Sequence, residues 1–240
     1  MKISISIVSH HSGRFIGSLL SDLVAYPAAD MEIILTLNVP EDESYLHQAG
    51  SLPLIVIRNA ASQGFGANHN QAFAASSGER FVVLNPDVRL LDSPWQALHA
   101  AIDRDTGASA PLVISPSGEV EDSVRRYPTM SRLFRRAVLR DRRPDYLPCQ
   151  ERKVQDVEWV GGMFIMFDSA CYKMINGFDT RYFMYLEDAD ICRRLHAHGK
   201  KVHLVPACRV VHDAQRASRK SFRHLRWHLT SFVKFFLRYS

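Results

Sequence analysis

Three carboxylates lie close together in the stretch YLEDADICRR, at Glu187, Asp188 and Asp190. Acidic residues are favoured at the start of a helix, where they interact with its dipole, so a solvated helix start explains them at least in part. An aromatic-rich loop leads directly into them and supplies Phe178, Tyr182, Phe183 and Tyr185. Aromatic rings beside carboxylates indicate a partly dry, sugar-stacking site in which a carboxylate can act as a general base. Asp190 and Arg194 have the i,i+4 spacing of a structural salt bridge.

A fourth acid, Asp87, follows an apolar stretch in VVLNPDVRL. In open parallel sheets, ligands bind beyond the carboxyl ends of the strands. A carboxylate at that position can hold Mg²⁺ against a diphosphate, because Mg²⁺ favours a carboxylate combined with phosphate oxygens. Asn-Pro-Asp is also ordinary turn chemistry, so the motif by itself leaves a plain turn open.

Two pairs of glycines mark places of close backbone approach. Gly64 and Gly66 precede a predicted helix in NAASQGFGANHNQAF. Glycines at this position let backbone N–H groups approach a phosphate, although a simple loop has the same composition. The spacing and the place in the chain argue against a dinucleotide fingerprint. Gly161 and Gly162 lie within an apolar stretch, which indicates a bulge or a close ligand.

The elements that position these residues alternate between strand and helix. The apolar spacing predicts strands at 3–8, 31–37, 54–57 and 81–84 and helices at 13–25, 67–76 and 94–103. This alternation predicts an α/β fold with a parallel sheet covered by helices on both faces. After Pro111 the pattern becomes hard to assign. Regular signals return with a strand at 157–167 and a helix near 169–175. A second helix contains the acidic residues and ends at about 198. A strand at 202–205 and a tail of mixed helical character at 221–238 follow.

The composition predicts a folded protein with reduced thiols. The chain has 240 residues, of which 46% are hydrophobic, enough for one sizeable core. Four scattered cysteines without CxxC spacing indicate free thiols rather than a disulfide frame or a zinc site. The first residues do not have the pattern of a signal peptide, and no stretch reaches the length of a membrane span. We therefore expect a cytoplasmic protein that is soluble or attached to a membrane surface.

The net charge of +5 is concentrated in two blocks. Eight arginines and one acid lie between Arg125 and Arg143, and seven Lys or Arg residues without any acid follow Asp213. Such blocks indicate an anionic partner, which can be nucleic acid, phospholipid or a phosphorylated substrate. Solvated helices or a subunit contact remain open. The sequence has no recognition motif for nucleic acid, so we expect no nucleic-acid partner.

Taken together and in this order, the motifs resemble the inverting family-2 glycosyltransferases of the GT-A fold, most closely the rhamnosyltransferase-like branch. The resemblance spans residues 1–235. It is carried by SISIVSHHSG, NAASQGFGANHNQAF, LNPDV, VGGMFIMF, GFDTRYFMYLEDADICRR and VVH at 210–212. It implies a Rossmann-like, mostly parallel sheet flanked by helices, with a C-terminal basic helical tail.

The resemblance also implies a metal site and a catalytic base. Asn85-Pro86-Asp87 occupies the place of the family's DxD motif, so Asp87 and, after the last strand, His212 are implied as ligands of Mg²⁺ or Mn²⁺. A surface histidine remains the alternative for His212. Asp188 matches the catalytic base, and Glu187 is its supporting residue and its rival for that role.

One departure concerns the nucleotide. Family members usually carry an Asp-Asn pair after the second strand, whereas this chain has Leu37-Asn38. Recognition of the base must therefore differ or be looser than usual. The implied donor-binding residues are Ser9, Asn38, Asn59, Gly64, Gly66, Asn70, Asn85, Asp87 and Gly162.

The implied activity is transfer of L-rhamnose from dTDP-rhamnose, with UDP- and GDP-sugars left open, to a polyprenyl-diphosphate-linked saccharide in cell-surface polysaccharide synthesis. A sugar-nucleotide-binding paralogue without catalysis is the main alternative. We expect a single domain with a nucleotide-sugar half at 1–115, an acceptor half at 116–213 and a basic amphipathic tail at 214–240. The tail and its aromatics can lie on an anionic bilayer, at the inner face of the cytoplasmic membrane.

Overall fold

The first half of the chain forms a parallel sheet. The computed structural model describes residues 1–129, 132, 145–146, 153–212 and 222–239. Its first strands are β1 (Ile3–Ser9), β2 (Met31–Leu37), β3 (Leu54–Arg58) and β4 (Arg80–Leu84). They lie in the order β3-β2-β1-β4 and all pair in parallel. Each strand matches the predicted bounds to within one residue, because its apolar residues either alternate, as in β1, or run together, as in β4, and polar or turn residues follow them.

The second half extends the same sheet. It contains β5 (Val88–Leu90), β6 (Thr106–Ile114), β7 (Val124–Arg125), β8 (Gln155–Asp156), β9 (Trp159–Val160), β10 (Phe164–Asp168) and β11 (Lys201–His212). The sheet continues from β4 in the order β10-β6-β11-β5, with β8 beside β11. Because β10 is antiparallel to both β4 and β6, the sheet is mixed but mostly parallel. The strands β7 and β9 form a separate two-stranded sheet.

Helices cover both faces of the sheet. They are α1 (Gly13–Ala25), α2 (Phe65–Ala74), α3 (Trp95–Ala100), α4 (Ser169–Met174), α5 (Glu187–Ala197) and α6 (Phe222–Tyr239), with a 3₁₀ turn at Ser44–Ala49. Alternate residues of β10 pack into two core clusters, Phe164 and Met166 into one and Ile165 and Phe167 into the other. This alternation shows that both faces of the strand are covered. Within the described residues, none of the helices combines the length and apolarity needed to cross a bilayer.

Two details differ from the sequence-based predictions. Pro111 lies inside β6 rather than marking the end of regular structure. A proline removes a hydrogen-bond donor from a sheet, and here the register shift in the partner strand between Val205 and Arg209 adjoins it. The predicted strand at 157–167 is two strands, with the Gly161–Gly162 pair at the break between β9 and β10. At the break, the Gly162 N–H donates to Asp188 of α5 instead of to a neighbouring strand.

Candidate active site

Strand pairing brings Asp87 and His212 together. The strand β5 begins one residue after Asp87, and its first residue, Val88, pairs with His212 at the end of β11. As a result, Asp87 Oδ2 lies 3.3 Å from His212 Nε2. The other ring nitrogen, Nδ1, lies 2.9 Å from Glu121 Oε2. His212 is therefore held between two carboxylates rather than exposed at the surface.

The Asp87–His212 pair has the chemistry of a divalent cation site. Burial lowers the pKa of His212, but the hydrogen bonds and charges of Asp87 and Glu121 outweigh it and raise the pKa to about 9. Asp87 Oδ1 is buried and has no hydrogen-bond partner among the described residues. An unused carboxylate oxygen beside an imidazole that is oriented by a second carboxylate fits a divalent metal that displaces the proton from Nε2. The described residues contain no cluster of three or more protein ligands, so diphosphate and water would have to complete such a site.

A strained turn positions the acids of α5. Tyr185 and Leu186 both adopt left-handed backbone angles, with φ of 72° and 66°. Each costs on the order of 1 kcal/mol or more for a residue other than glycine, and such strain is typical of functional sites. Leu186 then accepts the first hydrogen bond of the helix, from the N–H of Asp190 at 2.9 Å. Glu187 and Asp188 are consequently fixed in the first turn of α5.

The two adjacent acids have unequal surroundings. Asp188 accepts hydrogen bonds from the N–H groups of Gly162, at 3.1 Å, and Ala189, at 2.8 Å. Glu187 is buried, and its Oε2 has no partner within the described chain. Burial and the charge of Asp188 raise the pKa of Glu187 well above its ordinary value. Burial also raises the pKa of Asp188, opposed by its two N–H donors. The pair therefore keeps a proton on Glu187 more readily than on Asp188.

One cavity of about 670 Å³ collects these groups. It is lined by six of the residues predicted for the site: Asn85, Asp87, Gly162, Glu187, Asp188 and His212. Its other walls include three cations and an aromatic cluster: Arg125, Arg126, Arg132, Trp159, Tyr185, His228 and Phe232. The remaining arginines of the first basic block lie outside the described residues. The cavity thus combines carboxylates, arginines and aromatic rings, with Asp122 and Asp145 beside the arginines.

The remaining predicted residues lie elsewhere. The predicted donor-binding residues Ser9, Asn38, Asn59, Gly64, Gly66 and Asn70 do not line this cavity. Ser9 donates a hydrogen bond to Glu41 at 2.5 Å. The Asn38 amide accepts from the N–H of Gln63 at 2.7 Å and donates to its carbonyl at 3.0 Å, which holds the loop after β3. Asn59 donates to Asn38, at 3.0 Å, while its own Oδ1 is buried without a described partner. Nucleotide binding by these residues stays a prediction.

The glycines and Asn70 hold the aromatic loop against α2. A Cβ on Gly64 would lie 2.7 Å from the carbonyl oxygen of Phe183, and one on Gly66 would lie 2.6 Å from Phe178 Cβ. Asn70 donates to the Phe178 carbonyl at 2.8 Å and accepts from the Phe178 N–H at 2.9 Å and the Tyr172 hydroxyl at 2.7 Å. This close contact accounts for the glycines without any phosphate.

The aromatic loop contributes one ring to the cavity. Phe178 and Tyr182 are buried in the core, whereas Tyr185 lines the cavity. Phe183 packs against Trp227 of α6, with 4.8 Å between the ring centroids. Most of the aromatic residues therefore anchor the loop that carries the acids.

Asp190 has a structural role, as its spacing predicts. It is fully buried and accepts a hydrogen bond from Arg194 Nε at 2.8 Å. Arg238 and the Tyr239 hydroxyl at the end of α6 also bind it, at 3.0 and 2.7 Å. The C-terminal helix is thus tied to the helix that carries Asp188.

The residues that the sequence did not place at the site include Glu121, which contacts His212, and Trp159, His228 and Phe232, which line the cavity. Glu121 lies 91 residues from His212, and no local pattern marks it. His228 and Phe232 have the i,i+4 spacing of one helix face, which was the available signal.

The comparisons with known proteins agree with this architecture. Residues 4–170 match the family described as Glycosyl transferase family 2. The chain belongs to this family. Residues 150–224, which include the acids of α5, also match the family described as N-terminal domain of galactosyltransferase.

Two relatives are rhamnosyltransferases by name. The chain is 29% identical to rhamnosyltransferase WbbL of Escherichia coli K12, over 98% of this chain and 93% of that protein. It is 28% identical to an N-acetylglucosaminyl-diphospho-decaprenol L-rhamnosyltransferase of Mycobacterium tuberculosis, over 92% of this chain and 79% of that protein. These relatives support a glycosyltransferase role for the chain.

Solved structures share the fold at low sequence identity. GalNAc-T7 with UDP, GalNAc and Mn²⁺ superimposes with a TM-score of 0.67 at 17% identity, covering 89% of this chain and 43% of that one. The mannosyltransferase PcManGT of Pyrobaculum calidifontis, with GDP-Man and Mn²⁺, gives 0.67 at 15% identity, covering 98% and 64%. The chain therefore spans less than two thirds of either structure. The expected GT-A-like fold is confirmed.

Proposed function

We propose that the chain is a metal-dependent, inverting glycosyltransferase that moves L-rhamnose from dTDP-rhamnose to a polyprenyl-diphosphate-linked saccharide. The observation that carries this proposal is the convergence of Asp87, His212 and Asp188 on one cavity. The names of the rhamnosyltransferase relatives support the sugar, and the decaprenol relative supports a lipid-linked acceptor. Such a reaction takes place at the inner face of the cytoplasmic membrane.

Asp188 is the proposed base. Burial raises the pKa of Asp188 and makes it a stronger base, while hydrogen bonds from two N–H groups favour its ionised form. The carboxylate can then accept a proton from an acceptor hydroxyl as that oxygen attacks the anomeric carbon. Glu187 is protonated in this proposal, so it adds no second negative charge beside Asp188. A single displacement inverts the anomeric configuration and requires no carboxylate nucleophile, unlike retaining glycosidases.

Asp87 and His212 are the proposed ligands of Mg²⁺ or Mn²⁺. The metal would neutralise charge on the departing nucleoside diphosphate. Glu121 orients the His212 ring through Nδ1. Asn85 lies beside Asp87 on the same wall of the cavity, where the diphosphate is expected.

Residues from all three predicted parts of the chain line the cavity. Asn85 and Asp87 come from the nucleotide-sugar half, residues 1–115. Arg125, Arg126 and Arg132 come from the acceptor half, residues 116–213, and are the proposed guanidinium contacts of the acceptor diphosphate, on a wall that also carries Asp122 and Asp145. His228 and Phe232 come from the tail, residues 214–240, and add aromatic surface for the acceptor.

The first test is thermal unfolding with dTDP-, UDP- and GDP-sugars, each with and without Mg²⁺ or Mn²⁺. A ligand that binds the native state raises the melting temperature by mass action. A metal-dependent shift with dTDP-rhamnose, followed by transfer to a polyprenyl-diphosphate saccharide with inverted configuration, is the expected result. Binding without transfer would favour a non-catalytic sugar-nucleotide-binding protein. A shift in melting temperature with another nucleotide-sugar would identify that compound as the donor in place of dTDP-rhamnose.

A further inference from the structure

The C-terminal helix α6 has one face packed against the protein. Trp227 contacts Phe183, and His228 stacks on Tyr185 with 3.7 Å between the ring centroids. The Ser231 hydroxyl donates to the carbonyl of Met184 at 2.8 Å. These contacts fix α6 along the loop that leads into Asp188.

The opposite face of α6 carries a stripe of aliphatic side chains. Leu225, Leu229, Val233 and Leu237 recur every fourth residue and so share one side of the helix. They are 54%, 59%, 59% and 82% exposed. Exposed aliphatic residues are common singly, but an aligned set on one element marks an interaction surface. We call these four residues the aliphatic stripe.

The charge of α6 complements an anionic surface. Its sequence contains no Asp or Glu. Arg226 is exposed and stands three and seven residues before Leu229 and Val233, beside the aliphatic stripe. Lys234 and Arg238 lie nearer the protein, where they bind the carbonyl of Arg181 and the carboxylate of Asp179. A helix with an apolar stripe and only basic charges is typical of segments that lie in the plane of an anionic membrane.

We propose that the aliphatic stripe of α6 inserts into the interfacial layer of an anionic bilayer. This inference rests on the proposed lipid-linked acceptor. The same helix lines the cavity with His228 and Phe232, so the membrane-facing stripe and the acceptor wall lie on one element. An acceptor diphosphate at the bilayer surface then reaches Asp188 while its polyprenyl chain stays among the lipids.

A second copy of the chain is a poorer occupant of this face. In a two-fold interface the same surface lies on both sides, so each stripe would bring its own Arg226 towards the partner's cationic helix. No acidic residue of α6 is available to compensate these charges. Anionic lipid headgroups supply that compensation.

The test is co-sedimentation of the full chain with phosphatidylcholine vesicles, with and without phosphatidylglycerol. The variant Leu229→Glu/Val233→Glu changes two exposed residues of the stripe that do not line the cavity. The matched control, Leu91→Glu/Met174→Glu, makes the same change at two exposed apolar residues elsewhere. We expect the wild type and the control to bind the anionic vesicles, and the stripe variant to bind about tenfold or more weakly.

Three results would overturn the proposal. The first is equal vesicle binding by the stripe variant and the control, and the second is no vesicle binding by the wild type. The third is a wild-type dimer in light scattering that the stripe variant dissociates, since the face would then join two copies.

Transfer to an acceptor with a short, soluble alkyl chain separates this proposal from the proposed function. The stripe variant should keep that activity, whereas failure of every protein to transfer sugar would contradict the function and leave the vesicle result standing.

Discussion

Polar residues follow the strands in two regions of the molecule, with opposite outcomes. Beyond β2 and in α2, Asn38 and Asn70 use both amide atoms in contacts with neighbouring backbone. Beyond β4 and at the start of α5, Asp87 Oδ1 and Glu187 Oε2 are buried without hydrogen-bond partners among the described residues. Leaving a buried polar atom unpaired costs about 1–3 kcal/mol, so Asp87 and Glu187 give up stability that Asn38 and Asn70 keep.

This difference separates structural polar residues from candidate functional ones better than their place in the sequence does. The resemblance implied that Asn38, Asn70 and Asp87 all bind the donor, whereas Glu187 was implied as the supporting residue or rival of the catalytic base. The first region holds loops in place, and the second presents groups to a cavity. Substitutions in the first should change mainly folding stability, and substitutions in the second mainly chemistry.

The largest expected effect is that of Asp188→Asn. The amide keeps an oxygen that can accept from the Gly162 N–H, but it cannot accept the proton of an attacking hydroxyl. We expect the rate of transfer to fall by about 10³-fold, measured as turnover at saturating donor. The melting temperature should stay close to that of the wild type. Turnover within tenfold of the wild type would assign the base to another residue.

The next effect concerns the metal. Asp87→Asn should weaken metal-dependent donor binding by about 100-fold, because the amide is a poorer ligand for a hard cation than a carboxylate. Calorimetric titration of the donor at several Mn²⁺ concentrations measures this change. Asp122→Asn is the matched control, since Asp122 is also an acid of the cavity wall but pairs with Arg125. An equal loss in both variants would point to general electrostatics instead of ligation.

A stability effect is expected in the first region. Asn70→Ala removes three hydrogen bonds that hold Phe178 and Tyr172. The free energy of unfolding should fall by about 2 kcal/mol, as measured by chemical denaturation. The neighbouring exposed amide Gln71→Ala serves as the control and should change little. If Asn70 instead binds the donor, its loss will raise the KM for the nucleotide-sugar.

The smallest effect depends on pH. The pKa of Glu187 is raised above its ordinary value near 4.5, so the folded state binds its proton more tightly than the unfolded state does. The stability from this proton is fully present below about pH 4.5 and is lost as the pH rises through the folded pKa. Glu187→Gln does not titrate. Its melting temperature should equal that of the wild type at low pH and exceed it at neutral pH. A difference that is the same at every pH would contradict a protonated Glu187.

The sequence predicted the elements whose signals are local. The strands β1 to β4 have alternating or continuous apolar residues, and the acids of α5 follow a loop whose aromatic residues are visible in the sequence. The i,i+4 spacing of Asp190 and Arg194 was confirmed as a salt bridge. The fold class followed from the alternation of strands and helices, together with the resemblance.

What the sequence missed depends on long-range pairing. The strand β6 was hidden by Pro111, which the sheet accommodates through a register shift in β11. Glu121 reaches His212 because β5, β6 and β11 are neighbours in the sheet, an arrangement that no local spacing encodes. The tail was predicted to be amphipathic, but its composition did not indicate that His228 and Phe232 face the cavity while the aliphatic residues face outward.

The contacts of Asp190 have a practical consequence for work with this protein. Arg238 and Tyr239 hold a buried carboxylate from the last turn of α6. A chain truncated before Arg238 would lack both of these residues and leave the Asp190 carboxylate with Arg194. Asp190 lies two residues after the proposed base, Asp188. C-terminal truncation is therefore unsuitable for separating membrane attachment from catalysis, and affinity tags are better placed at the amino terminus.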